Sequence, residues 1–157
     1  MENFKLNVNN LNENKLPSNV EAEQALIGSV LVNNDIIDEI SNIVNSSKFF
    51  DTVHRKIYEI IENLNNKGMI ANPITLKNFL ENESALSEVG GVDYLVKLTR
   101  FSSSLRQAID YAKVVHEMYV KRELVSISDE IAEQSKDENL GNLEKILLKM
   151  QNSLFLD

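Results

Sequence analysis

The sequence contains no cysteine and only five glycines among its 157 residues. The absence of cysteine excludes disulfide frameworks, thiolate metal sites and cysteine nucleophiles, and it fits a reducing compartment. None of the glycines begins the pattern G-x-x-x-x-G-K-[ST], whose backbone amides cradle nucleotide phosphates. We therefore expect the chain not to be an enzyme by itself and to hold no cofactor.

Long apolar runs and an excess of basic residues are also missing. No run approaches the roughly 20 apolar residues that span a bilayer, and the first ten residues do not form a secretion signal. Against 24 acidic residues there are 16 lysines and arginines, so the net charge is -8. Proteins that grip DNA by its phosphates usually show a basic face. The composition therefore favours a cytoplasmic protein with protein partners and no membrane partner.

Apolar residues recur at helical spacing along the chain, and no segment alternates like a strand with hairpin turns. Residues 1–15 are Asn-rich and weakly apolar, which predicts a disordered tail. Ser18 and Glu21 predict a capping box at the start of the first helix. Gly28 inside that helix predicts the close approach of another helix. Asn33 or Asn34 is expected to cap a second helix, whose apolar stripe runs from residue 36 to residue 44.

Phe49 and Phe50 are expected to plug the core before a third helix over residues 51–66, which Gly68 would end in a left-handed conformation. Asn72-Pro73 predicts the start of the next helix, since Asn caps well and proline is tolerated at the first helical position. The apolar residues expected to be buried on these two helices are Val53, Ile57, Ile60, Ile61, Leu64, Leu76, Phe79 and Leu80.

The last third of the chain predicts a loop, a short helix and then a long helical hairpin. Residues 84–91 read as the loop and Tyr94, Leu95 and Leu98 as the short helix. A long helix is predicted over residues 105–134, capped by the serines at 102–104, with a final antiparallel helix after residue 141. The expected fold is all-α, with a small globular bundle over residues 16–120 and a helical hairpin over residues 121–157.

The hairpin carries a stripe of apolar residues that one small bundle cannot cover, so we expect it to pack against another copy of the chain. A fold in which the hairpin lies back on the bundle is the alternative. The residues assigned to self-association are Leu124, Ile127, Ile131, Leu143, Leu147, Met150 and Leu154.

No catalytic or metal-binding constellation is visible. His54 and His116 are far apart, and two ligands do not make a closed zinc site. We expect His54 to be exposed or to cap a helix, and His116 to be partly buried. Glu21 and Glu23 point to different sides of a helix, so we expect them to act as a cap and as a complement to the helix dipole.

Basic residues beside aromatic residues can bind single-stranded nucleic acid by stacking, and the sequence contains two such sets. Solvated helix faces beside core aromatics are the favoured interpretation. The two candidate sets are Arg55, Lys56 and Tyr58, and Arg100, Phe101 and Arg106.

Five segments, in order, resemble motifs of the DnaB-type replicative DNA helicases. They are EAEQALIGSVLV at 21–32, KFFDTVHRKIYEII at 48–61, ANPITLKNFL at 71–80, VGGVDYLVKL at 89–98 and YAKVVHEMYVKREL at 111–124. The positions singled out within them are Glu21, Glu23, Gln24, Gly28, His54, Gly90, Gly91, Tyr94, Tyr111 and Arg122. The chain departs from the family at Asn72, where aspartate is usual, at SSSLRQAID before Tyr111, and at Met150-Gln151.

The resemblance implies the N-terminal collar domain of a bacterial replicative helicase, working in the cytoplasm at the replication fork. Copies of such a domain pair as dimers in isolation and form a hexameric ring in the parent. The resemblance also implies docking of the primase C-terminal domain and contact with a helicase loader. ATP, Mg²⁺ and most contacts with single-stranded DNA would belong to the motor domain of the parent ATP-dependent helicase, which is absent from this sequence.

Two other interpretations stay open. In one, the chain is a stand-alone helical adaptor; in the other, it is a module that binds single-stranded DNA without a motor domain.

Overall fold

The computed structural model describes residues 16–136 and 140–155, with the side chains of residues 140–143 and 153–155 left undescribed. The predicted tail at residues 1–15 lies outside this range. Throughout the described ranges the only regular structure is helical, which confirms the all-α prediction. The helices are α1 (Val20–Val32), α2 (Ile36–Ile40), α3 (Thr52–Asn66), α4 (Pro73–Leu80), α5 (Ser84–Glu88), α6 (Val92–Thr99), α7 (Leu105–Gln134) and α8 (Leu140–Phe155), with a 3-10 turn at Ser46–Lys48 before α3.

Local signals placed several helix ends correctly. The Asn72 side chain accepts hydrogen bonds from the Ile74 and Thr75 amides, and the Thr75 hydroxyl returns the contact in a capping box. Ser104 and Gln107 form the same arrangement at the start of α7. After α3, Gly68 adopts a φ of 69°, which suits glycine because it has no Cβ.

Other local predictions were wrong. The cap of α1 is Asn19, whose side chain accepts the Ala22 amide at 2.9 Å, so Ser18 and Glu21 do not form a capping box. The helix α2 ends at Ile40 rather than near residue 44, because the chain turns through residues 41–43. The segment predicted as a loop over residues 84–91 contains α5, a helix too short to show an apolar period.

The core of the bundle lies around α1, which packs against both α6 and α7. Phe49 is fully buried with its ring centroid 4.7 Å from that of Tyr58, as expected for a core plug. The predicted buried face of α3 is confirmed at all five positions. On α4, Leu76 and Leu80 are buried, whereas Phe79 is 47% exposed, so its assignment to the core was wrong.

The hairpin is formed by α7 and α8, which run antiparallel. Lys149 Nζ lies 2.6 Å from Glu130 Oε1, and Lys145 lies near Gln134, so residue numbers rise along α8 as they fall along α7. Ile127 and Ile146, one on each arm, are buried but are not part of the core cluster of the bundle. The two arms therefore share a small apolar seam of their own.

Candidate functional site

A polar network is buried between α1, α3 and α6, and it joins three of the sequence motifs. Glu23 is only 2% exposed. Its carboxylate accepts hydrogen bonds from the backbone amides of Phe50 and Asp51, and one of its oxygens lies 2.7 Å from His54 Nδ1. The carboxylate thus finds three donors inside the protein, which compensates for its loss of water.

The network continues from His54 to α6. His54 Nε2 lies 2.7 Å from the Tyr94 hydroxyl, and Gln24 Nε2 donates to that hydroxyl at 3.3 Å. A proton on Nδ1 of His54 gives every group a role, since His54 then donates to Glu23 and accepts from Tyr94. Burial raises the pKa of Tyr94, which keeps its hydroxyl proton available for this contact.

The structure overturns the sequence interpretation of two of these residues. His54 is fully buried rather than exposed, and Glu23 is a buried acceptor rather than a complement to the helix dipole. Glu21, by contrast, is exposed in the first turn of α1. The two residues are 31 positions apart, so spacing gave no sign of their contact. Their shared presence in the family motifs was the one available signal.

The network has the chemistry of a structural link rather than of an active site. His54 is fully buried and Glu23 nearly so, and their donors and acceptors are paired with neighbouring protein groups. Within residues 16–136 and 140–155, no group of three His, Asp or Glu side chains could hold a metal ion. What the arrangement does is to fix α1, α3 and α6 relative to one another.

Gly28 lies where α1 meets the end of α6. A Cβ built on Gly28 would lie 2.0 Å from the Leu98 carbonyl oxygen, so the predicted close approach is confirmed. The next residue, Ser29, donates to the Ala25 carbonyl and accepts the Ser103 amide at 2.9 Å. This junction fixes the chain segment that leads into α7.

The other motif residues shape the bundle around these contacts. Gly90 and Gly91 have φ angles of 111° and 61° and form the turn into α6, which carries Tyr94. Tyr111 on α7 is half-buried and packs against the core cluster. They support the helices on which the network is built.

Arg122 connects the base of the hairpin to the bundle. Its guanidinium donates to the carbonyl oxygens of Pro17 and Lys48 at 2.8 and 2.7 Å and lies 5.4 Å from the centre of the Phe50 ring. Burial lowers the pKa of Arg122. The Phe50 amide in turn donates to Glu23, so the hairpin base and the buried network are joined through one turn.

The residues assigned to self-association are divided by the structure. Ile127 is buried inside the hairpin, so it is not available to a second copy. Leu124 and Leu147 are 38% and 59% exposed, and Ile131 and Met150 are half-buried. The side chains of Leu143 and Leu154 lie outside the described residues. Exposed apolar side chains thus remain on both arms of the hairpin, and Val125 on α7 is also 38% exposed.

The first stacking candidate is ruled out by burial. Tyr58 is 1% exposed, and burial raises the pKa of its hydroxyl. Arg55 donates to the Phe49 carbonyl instead of facing a ligand. In the second candidate, Phe101 is 43% exposed and is flanked by exposed Arg100, so this set remains a candidate for stacking.

Among the described residues no helix combines the length and apolar character needed to cross a membrane.

Comparison with known proteins agrees with the arrangement of these motifs. The family model described as "DnaB-like helicase N terminal domain" matches residues 15–117. The replicative DNA helicase DnaB of Rickettsia felis is 38% identical over 125 residues, which cover 80% of this chain and 25% of that protein. The chain therefore spans about a quarter of the length of the curated relatives it matches.

Solved structures share the fold. The crystal structure of the N-terminal domain of DnaB helicase from Mycobacterium tuberculosis has a TM-score of 0.74 at 23% identity, and the match covers 90% of this chain and 99% of that one. A DnaB-like replicative helicase, described with its interactions with primase, has a TM-score of 0.72 at 25% identity over 84% of this chain and 31% of that one. The match to the family model covers about two thirds of the sequence, and the chain belongs to the family of DnaB-like helicase N-terminal domains.

Proposed function

We propose that this chain is the collar domain of a replicative DNA helicase and that its hairpin holds copies of the chain together. The observation that carries the proposal is the apolar outer surface of the hairpin, where Leu147 is 59% exposed. Exposed large apolar side chains on both arms of one hairpin favour contact with another protein surface. Family membership supports the same role, because the curated relatives are named replicative DNA helicases.

The rest of the parent protein would supply the chemistry. Since the chain spans about a quarter of its relatives, a motor domain would follow it, binding ATP and Mg²⁺ and moving on single-stranded DNA. We place the whole protein in the bacterial cytoplasm at the replication fork, as a hexamer that also meets a helicase loader. Sequencing the encoding DNA beyond codon 157 tests this: a frame that reaches G-x-x-x-x-G-K-[ST] supports the motor, and a stop codon favours the stand-alone adaptor.

Self-association is best tested at Leu147 and Leu124 rather than at Ile127. An aspartate at Ile127 would disturb the hairpin itself, because that side chain is buried between the arms. Burying one leucine contributes about 1.5–3 kcal/mol, and a symmetric dimer contains the contact twice. Leu147→Asp should therefore weaken dimerisation by about 100-fold or more.

Sedimentation equilibrium of the wild type and of Leu124→Asp and Leu147→Asp measures this change. Gln151→Asp, an exposed polar position on the same helix, is the matched control and should leave the dimer unchanged. Unaltered association of both leucine variants would rule out the hairpin surface, provided that circular dichroism shows the helices intact.

Docking of primase is the second part of the proposal, and it rests on the structural neighbour described with primase. Isothermal titration of the primase C-terminal domain from the same organism into this chain is the direct test. Saturable binding supports the collar role. Absence of binding to both this chain and the full-length parent would remove primase from the list of partners.

A single-stranded DNA site at Phe101 is the competing function, favoured by its exposed ring beside Arg100. Anisotropy of a labelled oligo-dT at low salt tests it. Salt-sensitive binding that Phe101→Ala abolishes would support this function, with Phe79→Ala as a control of similar exposure. No binding at low salt would exclude it.

A further inference from the structure

An open cleft separates α8 from the segment that joins α2 to α3. It encloses about 980 Å³, which is the size of a site for a ligand or for a short peptide segment. One wall is formed by residues 41–48 of the bundle, the other by α8, and α7 lies between them. None of the sequence motifs predicted this cleft, because the sequence of α8 does not indicate how far the helix lies from the bundle.

The charge of the cleft is opposite to that of the chain. Lys48, Lys145 and Lys149 all line it, and no Asp or Glu is among the described residues of its lining, although the chain carries a net charge of -8. Lys48 is held in place, since its ammonium donates to the Ile43 carbonyl at 2.9 Å and lies 3.1 Å from His116 Nδ1. Lys149 also pairs with Glu130 outside the cleft, so part of its charge is already compensated.

The cleft also offers apolar surface. Leu148 on α8 is 58% exposed and lines the cleft together with Tyr119 and the buried Val44. The remaining lining consists of serine and asparagine side chains and His116. Lysines combined with exposed apolar side chains match a ligand that carries both apolar side chains and negative charges.

We propose that this cleft binds an acidic amphipathic segment of a partner protein. Such a segment would place an apolar side chain against Leu148 and Tyr119 and carboxylates near the three lysines. The lining suits nucleic acid less well, because among its described residues Tyr119 is the only aromatic one besides His116, and its ring already lies 5.9 Å from the Lys48 ammonium. The described part of the lining also contains no arginine that could bind a phosphate with two hydrogen bonds. The proposal does not depend on the collar role.

The probe is a fluorescein-labelled peptide of about 16 residues with leucines at helical i, i+4 and i+7 spacing and glutamates elsewhere. Anisotropy at low salt should show saturable binding that weakens as salt is raised. Lys145→Glu and Leu148→Asp should each weaken binding by about tenfold or more, since each places a negative charge against the carboxylates of the peptide.

Two matched variants separate this site from the rest of the chain. Lys136→Glu makes the same charge change at an exposed position outside the cleft, and Leu147→Asp alters the neighbouring leucine, which does not line it. Both should bind the peptide within about twofold of the wild type, and Leu147→Asp should do so even where it abolishes self-association.

Several results would overturn the proposal. The first is that the glutamate peptide does not bind at low salt. The second is that a peptide with lysines in place of the glutamates binds equally well. The third is that the cleft variants and their controls lose peptide binding to the same extent. Binding of oligo-dT that is tighter than that of the peptide and is lost in Lys145→Glu would make nucleic acid the occupant instead.

Discussion

The substitution Gly28→Ala provides a sharp test of the packing described above, because helix propensity and packing predict opposite signs. Gly28 is inside α1. Replacing a glycine in a helix interior by alanine normally stabilises the helix by about 1 kcal/mol. Here the new Cβ would lie 2.0 Å from the Leu98 carbonyl oxygen and 2.9 Å from its carbon, so α1 and the end of α6 must separate by more than an ångström.

The carbonyl group cannot give way easily. Leu98 is fully buried, and its oxygen accepts the Phe101 amide at 3.0 Å in the turn that leads to α7. Overpacking of this kind costs about 1–3 kcal/mol, and a rigid backbone group as the obstacle places this site at the upper end. After the gain in helix propensity, we expect Gly28→Ala to lower the free energy of unfolding by about 2 kcal/mol, or the Tm by about 4–8 °C.

Urea unfolding followed by far-ultraviolet circular dichroism measures this change. Val32→Ala is the control, because Val32 is on the same helix and 61% exposed; it should change stability by less than about 0.5 kcal/mol. If Gly28→Ala were as stable as the wild type or more stable, the contact between α1 and α6 would be looser than the structure shows and the packing argument would fail.

Three further predictions use the same unfolding assay. Glu23→Gln should lower the free energy of unfolding by about 1–3 kcal/mol, because an amide has one acceptor oxygen for the three donors that the carboxylate now satisfies. Glu21→Gln at an exposed site should be nearly neutral, and equal effects of the two substitutions would contradict the network. Tyr58→Phe should flatten the loss of stability above about pH 9.5, since burial raises the pKa of Tyr58 in the folded state above its ordinary value near 10 and the unfolded chain therefore loses this proton first as pH rises. An unchanged slope over that range would refute it. Arg122→Lys should lower the free energy of unfolding by about 1–3 kcal/mol, because it weakens the hydrogen bonds of the guanidinium to two backbone carbonyls. Arg106→Lys, at an exposed position, is the control and should leave stability unchanged.

Helix termini were predictable from sequence where the cap and its partner are close in the chain. Asn72 with Thr75, Ser104 with Gln107 and the left-handed Gly68 all satisfy backbone groups within one turn. The same logic failed at Ser18, because the adjacent Asn19 is an equally good cap and begins the helix one residue later. Neighbouring candidates of similar strength are decided by how the rest of the chain packs.

Apolar periodicity predicted which face of a helix is buried, but not every residue on it. On α3 the whole stripe lies in the core. On the shorter α4 the spacing allows both Phe79 and Leu80 to face inward, yet only Leu80 does so. An eight-residue helix has too few turns to define its buried direction, so the neighbouring helices set it.

The buried network could not be predicted from spacing at all. Glu23, His54 and Tyr94 come from helices separated by about 30 and 40 residues, and each has a common structural role when considered alone. Only the packing of α1, α3 and α6 places one carboxylate beside one imidazole. Resemblance to a family signals that such residues matter together, without showing that they are in contact.

Helix α8 of the hairpin contributes to two different surfaces that cannot be told apart from the sequence alone. Leu147 and Leu148 are adjacent, equally apolar and almost equally exposed at 59% and 58%. Successive residues on a helix point about 100° apart, so Leu148 faces the lysine-lined cleft while Leu147 does not. If Leu147→Asp removes only self-association and Leu148→Asp removes only binding of the acidic peptide, the two activities are independent. If Leu147→Asp also removes binding of the acidic peptide, its effect equals that of the cleft variants, and the proposed site in the cleft is overturned.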